Sequence, residues 1–288
     1  MRFPLFFFAF ACSVSLRAAA QAPTNYEELY HLQRVDHFSS LTPPSGNLSW
    51  SQRYLINATF FDPLVGCILF YTGNEGDVTL YAAHTGLIWE NAQRLKALVA
   101  FGEHRFYGKS WPLQTEAASL QHMSYLSSQQ ALADYADLLR HIRLSRGVPP
   151  STPVVSFGGS YGGVLSAMFR AAYPGSVDAA IASSAPLRAF PGQTPPWDTS
   201  FYYQVISRDA TAAGGSTDAC AANVRALWEP LFADGATAAG RAALGAAFRT
   251  CKPLQTPDDA LALAYFVRGS WDESAMGNYP YPSSACIY

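Results

Sequence analysis

The sequence predicts an α/β fold in which a parallel sheet is flanked by helices. Three observations lead there. Cys67 to Tyr71, Ala97 to Phe101 and Pro153 to Phe157 are short, continuous apolar runs, as expected for strands buried on both faces. Each run is followed by a glycine-bearing loop. Between and after the runs, apolar residues recur at helical spacing.

In chain order, Arg2, the apolar stretch Phe3 to Val14 and Ala18-Ala19-Ala20 read as a secretory signal peptide cut near Ala20. A polar lead-in follows. Ser51 to Asn57 alternates, with Tyr54 and Ile56 on one face, and reads as a strand. The Cys67–Tyr71 strand feeds the loop Thr72 to Asp77. Leu80 to Leu95 reads as one helix, with Leu87, Ile88, Ala92 and Leu95 on its apolar face. After the Ala97–Phe101 strand and a loop, Ser127 or Ser128 caps a helix carrying Leu132, Tyr135, Leu138, Leu139 and Ile142. Pro149-Pro150 ends that helix. The Pro153–Phe157 strand leads into Gly158-Gly159-Ser160-Tyr161-Gly162-Gly163 and a helix to Tyr173. Ala179 to Ala182 is a fourth short strand.

Near Pro186 the pattern changes. Pro191, Pro195 and Pro196 mark a linker, and Phe201 to Arg268 is Ala-rich and helical. Leu227, Leu231, Leu244, Phe248, Leu261 and Phe266 are its expected core positions. The division expected is a leader over 1–20, an α/β domain over 21–190 and a helical cap over 191–288.

Composition excludes several functions. Nineteen Lys and Arg against twenty-one Asp and Glu leave a formal net charge of −2, without the basic excess of a nucleic-acid binder. Only Lys96, Lys109 and Lys252 are lysines, so no polybasic membrane patch is present, and no run beyond the leader suits a membrane span. No Cys pair has metal-ligand spacing, and no metal or cofactor is expected. In an oxidising compartment Cys220 and Cys251, beside neighbouring helices, are expected to pair, contributing about 3–4 kcal/mol by restricting the unfolded chain. Cys67 reads as a buried free thiol. Asn47 and Asn57 stand in sequons and are candidate glycosylation sites.

The chemistry lies at Gly158-Gly159-Ser160-Tyr161-Gly162. This matches G-x-S-x-G between an apolar strand and a helix, the context that makes the motif a nucleophile elbow. A serine on such a turn adopts strained backbone angles, and small neighbours let the turn close. Its hydroxyl projects from the sheet edge, and the Tyr161 N–H faces an oxyanion at the positive end of a helix. The second oxyanion donor is expected from the loop after an earlier strand, at the N–H of Gly73 or Asn74. Glu75 and Asp77 on that loop could meet a substrate amine or could be solvated or capping. Glu103-His104-Arg105 reads as a buried structural network, because in an α/β-hydrolase the histidine base follows the serine.

Several motifs extend the elbow. FYTGNEGDV (Phe70 to Val78), FGEHRFYGKS (Phe101 to Ser110), QALADYADLL (Gln130 to Leu139), SFGGSYGGVLSAMFR (Ser156 to Arg170) and ASSAP (Ala182 to Pro186) occur in this order, between VDHFS (Val35 to Ser39) and NYPYP (Asn278 to Pro282). The set resembles the lysosomal Pro-X carboxypeptidase and dipeptidyl peptidase II family of serine peptidases. The resemblance implies an α/β-hydrolase core with an inserted helical cap. It implies a serine exopeptidase, with Ser160 as nucleophile, that cleaves peptides next to proline near a terminus, in acidic vesicles or outside the cell. A homodimer is compatible with it. The family's Asp and His have no counterpart here, and all six histidines precede Ser160. The C-terminal part of the core is therefore expected to be absent, with the chain a truncated form. An inactive peptide-binding or regulatory fragment is the alternative; a lipase or esterase would not explain the motifs beyond the elbow.

Overall fold

The structure is a computed structural model, and it describes residues 25–41, 46, 48–112 and 122–277. It divides into two compact units between Pro195 and Pro196. The leader, Asn47 and the NYPYP motif lie outside the described residues.

The first unit is built on a six-stranded mixed sheet. Its strands are β1 (Glu27–Arg34), β2 (Ser49–Asn57), β3 (Ile68–Thr72), β4 (Leu98–Gly102), β5 (Val154–Gly159) and β6 (Ala179–Ser183), in the order β1-β2-β4-β3-β5-β6. β3, β4, β5 and β6 are parallel; β2 runs antiparallel to both β1 and β4. The sheet is thus mixed where an all-parallel one was expected, and the difference lies entirely in β1 and β2. Strand order, the antiparallel second strand and the serine after β5 make this an α/β-hydrolase core.

The continuous apolar strands are buried on both faces, as their composition requires. Ile68 and Phe70 face α3 (Ser128–Arg146) and α4 (Ser160–Ala172), packing with Leu132, Tyr135, Leu138, Ile142, Leu165 and Phe169. Leu69 and Tyr71 point the other way, toward Val78, Ala82, Ile88 and Ala92. Fully burying one such large apolar side chain contributes about 1.5–3 kcal/mol. The expected helix over Leu80 to Leu95 is two helices, α1 (Val78–His84) and α2 (Gly86–Ala92). Thr85 leaves helical geometry between them, next to Gly86, where helix propensity is lowest. α3 begins where Ser127 accepts a bond from the Gln130 N–H, and it ends at left-handed Gly147 (φ +61°).

β1 has no signature in the sequence because Glu27–Arg34 is rich in polar residues. Its partners are tertiary. Its whole length pairs with β2, the Gln33 amide donates to Gln52 and to the Asp134 carbonyl, and His31 meets Asp137 at 2.8 Å.

The second unit is helical, as expected: α5 (Phe201–Asp209), α6 (Asp218–Ala236), α7 (Ala238–Phe248) and α8 (Pro257–Met276). Its core is Leu231, Leu244, Leu263 and Ala264. Leu231 and Leu244 were expected there. Phe248, the last residue of α7, is exposed, and so are Leu261 and Phe266, because α8 turns its Ala260–Leu263–Ala264 stripe inward, off by one position from Leu261.

The structure bears on two modification expectations. Cys220 and Cys251 are both free thiols, so the expected disulfide is not formed. Cys220 is half-buried in the first turn of α6, whereas Cys251 is exposed in the segment after α7. Asn57 is only 7% exposed, and its amide nitrogen donates to the Asn25 carbonyl at 2.8 Å, which leaves the sequon's acceptor nitrogen engaged and covered.

Arg105 and Asp134 are both wholly excluded from solvent. Arg105 donates twice to the Asp134 carboxylate (2.7 and 2.8 Å) and also to the carbonyls of Val35, Tyr125 and Arg34. Removing one partner strands the other charge. Asp134→Ala is expected to cost about 3–5 kcal/mol, measured as a lowered denaturant midpoint, with Asp134→Asn milder.

Candidate active site

The elbow sits where β5 ends and α4 begins. Ser160 is the first residue of α4, it is exposed, and its φ is +54°. That left-handed conformation is strained for a residue with a side chain, and it is retained only when the surroundings impose it. Here they do. A Cβ at Gly158 would stand 2.0 Å from the Gly162 carbonyl oxygen, and one at Gly162 would stand 2.7 Å from the Thr72 carbonyl oxygen. The Thr72 hydroxyl is shared between the carbonyls of Phe157 (3.0 Å) and Gly162 (2.7 Å), tying the end of β3 to both sides of the turn. Gly159 is different: its Cβ would meet nothing nearer than the Tyr71 hydroxyl at 4.0 Å.

Tyr161 follows Ser160 in the first turn of α4, where main-chain N–H groups have no helical acceptor. It is half-buried. Burial first, then the charges of Tyr107 and Glu75, push its phenol pKa up to about 12. The β3 loop lies alongside. Of the two expected second donors, Gly73 is corrected: its N–H is spent on the Gly102 carbonyl at 3.0 Å, and its own carbonyl accepts the Tyr135 hydroxyl at 2.7 Å. Asn74 remains. It is 6% exposed, its amide nitrogen donates to the Gly159 carbonyl (3.3 Å), and its side-chain oxygen accepts from the Tyr71 hydroxyl (3.4 Å).

The loop's two acids separate. Asp77 caps α1 and pairs with Arg53 at 2.6 Å. Burial raises its pKa, but the bonds from Arg53 and Thr79 outweigh this and hold it at about 2. Glu75 is exposed, and among the described residues its carboxylate has no hydrogen-bond or ion-pair partner.

Glu103, His104 and Arg105 are buried, as expected for a structural network. The Glu103 carboxylate accepts from Arg53, Ser110 and the main-chain N–H groups of Val78 and Lys109. Sequence order, however, gave no sign that His104 touches the elbow. Its Nδ1 lies 2.7 Å from the Arg105 carbonyl, which can only accept, so Nδ1 carries the proton. Its Nε2 therefore accepts the Tyr161 hydroxyl at 3.1 Å. Burial lowers the His104 pKa, outweighing the Arg105 carbonyl.

Among the described residues no group of three His, Cys, Asp or Glu is arranged to hold a metal ion, and no helix is long and apolar enough to cross a membrane.

Two outcomes follow from this geometry. Gly158→Ala should destabilise the unit by about 1–3 kcal/mol through overpacking, whereas Gly159→Ala should stay within about 0.5 kcal/mol; thermal unfolding of both variants checks this. With the His104 pKa below its ordinary 6.5, only the unfolded chain takes up this proton just below that pH. Its share of stability is intact above pH 6.5 and is lost as pH falls through the lower folded value. Imidazole nitrogen shifts should show His104 neutral with its proton on Nδ1 at pH 6.5.

The profile of the serine carboxypeptidase S28 family matches residues 33–287. Lysosomal Pro-X carboxypeptidase of Pongo abelii is 37% identical over 271 residues, covering 94% of this chain and 52% of that protein. The Homo sapiens protein of the same name is 36% identical with the same coverage. Prolyl carboxy peptidase like protein 5 of Caenorhabditis elegans is 40% identical over 264 residues, covering 90% of this chain and 50% of that protein. Among solved structures, the thioesterase domain from the curacin biosynthetic pathway aligns with 64% of this chain and 51% of that chain, at 15% identity and a TM-score of 0.39. The chain spans about half the length of the curated relatives it matches. With the elbow in place and the family profile running through nearly all of the sequence, the chain belongs to the serine carboxypeptidase S28 family.

Proposed function

We propose that this chain carries the nucleophile and oxyanion hole of a serine exopeptidase that cleaves peptides next to proline near a terminus. The observation behind this is Ser160, exposed at φ +54° on the β5–α4 turn with the Tyr161 N–H beside it. In this reading Ser160 Oγ attacks the scissile carbonyl carbon as a base takes its proton. The oxyanion rests on the N–H groups of Tyr161 and Asn74. The C–N bond then breaks, the amine leaves with a proton, and water hydrolyses the acyl-serine. Glu75, without a partner among the described residues, is the residue proposed to meet an amine of the peptide. The names of the relatives support the Pro-X preference and a lysosomal or secretory setting.

A second reading, an inactive peptide-binding fragment, draws on one fact: every histidine of the 288 residues precedes Ser160. Supplying a base in solution separates the two. A fluorophosphonate should label the chain slowly, with the Ser160–phosphorus bond formed and fluoride released. Added imidazole should speed this by about tenfold, less than the roughly 10²–10⁴-fold of a positioned general base because the added base is not held in place. Ser160→Ala should abolish labelling. No labelling with or without imidazole would overturn the peptidase reading in favour of the fragment.

A further inference from the structure

We propose that His104 is a positioning residue for the oxyanion hole, acting on Tyr161 through the hydrogen bond from the tyrosine hydroxyl to its Nε2. The proposal rests on the peptidase reading of Ser160 and names a part of its machinery outside the elbow motif.

The imidazole cannot shift. On one side of it Glu103 is locked by Arg53, Ser110 and two main-chain N–H groups; on the other Arg105 is locked by Asp134 and three carbonyls. All three residues are at most 1% exposed. The ring itself is fixed by its Nδ1–H bond to the Arg105 carbonyl, and it packs against Tyr107 (centroids 5.3 Å apart), Tyr161 (5.5 Å) and Tyr135 (6.5 Å). Nε2 is thus a stationary acceptor at the far end of the Tyr161 side chain.

That side chain grows from the residue whose main-chain N–H faces the oxyanion. Tethering the phenol restrains rotation of this peptide unit in the first turn of α4, where no helical acceptor holds the N–H. The same cluster holds the other donor loop: the Tyr135 hydroxyl is bonded to the Gly73 carbonyl, and the Gly73 N–H to the Gly102 carbonyl. Both donors of the hole are therefore referenced to one buried segment, Gly102 to Arg105. A donor displaced by a fraction of an ångström loses much of its transition-state stabilisation, because that interaction depends on preorganised distance.

The test measures fluorophosphonate inactivation of the full chain in imidazole, resolved into probe affinity and maximal inactivation rate. Tyr161→Phe and His104→Leu should each lower the maximal rate by about tenfold, a fraction of what losing a whole oxyanion donor costs, with affinity unchanged. The double variant should be no slower than either single one. His104→Gln, which keeps an acceptor near Nε2, should recover most of the rate. Amide hydrogen exchange at Tyr161 should quicken in Tyr161→Phe while that of β3 and β5 stays unchanged. Unchanged maximal rate and exchange in Tyr161→Phe, a variant that keeps the ring and its packing, would overturn the proposal even if His104→Leu fails to fold. If wild type is not labelled at all, the peptidase reading fails, and exchange at Tyr161 still decides whether His104 positions that peptide.

Discussion

The arrangement of the site depends on one steric constraint: there is no room for a side chain where β5 meets α4. Gly158 and Gly162 approach so closely that a Cβ on the first would collide with the carbonyl of the second. This approach turns the chain sharply enough to force Ser160 to φ +54° and to lift it into solvent. Such strain persists only if the surroundings over-determine it. The Thr72 hydroxyl, shared by the carbonyls on either side of the turn, ties it to the centre of the sheet.

Around the turn, polar groups are buried only where they are satisfied. Glu103 collects donors from Arg53, Ser110 and two main-chain N–H groups, and Arg105 spends its donors on Asp134 and three carbonyls. Unpaired, either charge would cost several kcal/mol. Paired, they make the segment after β4 rigid, and that segment carries His104. A polar network thus does beside the elbow what apolar packing does beneath it. The same logic sorts the acids of the β3 loop: Asp77 belongs to the network through Arg53, and Glu75 stands outside it, toward solvent.

Some of this was legible in the sequence because local chemistry and tertiary structure agree. The buried strands, the capped helix from Ser127, the elbow at Ser160 and the run of helices after Pro196 each declare themselves within a few residues. Other features were not legible because they depend on residues far apart. β1 is polar and becomes a strand only by pairing with β2 and bonding to α3. The inward face of α8 differs from Leu261 and Phe266 by one position, a rotation that packing against Leu231 and Leu244 determines. Gly73 looks as good an oxyanion donor as Asn74 until Gly102 is seen to take its N–H.

The sequence by itself determined the class of fold and the place of the Ser160 turn, because a strand, a turn with glycines on both sides of a serine and a helix are consecutive in the chain. It also determined that no histidine follows Ser160 within the 288 residues. Only the tertiary structure decided the antiparallel edge of the sheet, the engagement of the Gly73 N–H by Gly102, the free thiols of Cys220 and Cys251, the covered amide of Asn57 and the contact of His104 with Tyr161. The reason is the range of the interactions. Turn sterics and capping act between near neighbours, whereas the allocation of hydrogen-bond donors and acceptors in a buried site is settled only when distant strands are brought within about 3 Å of one another.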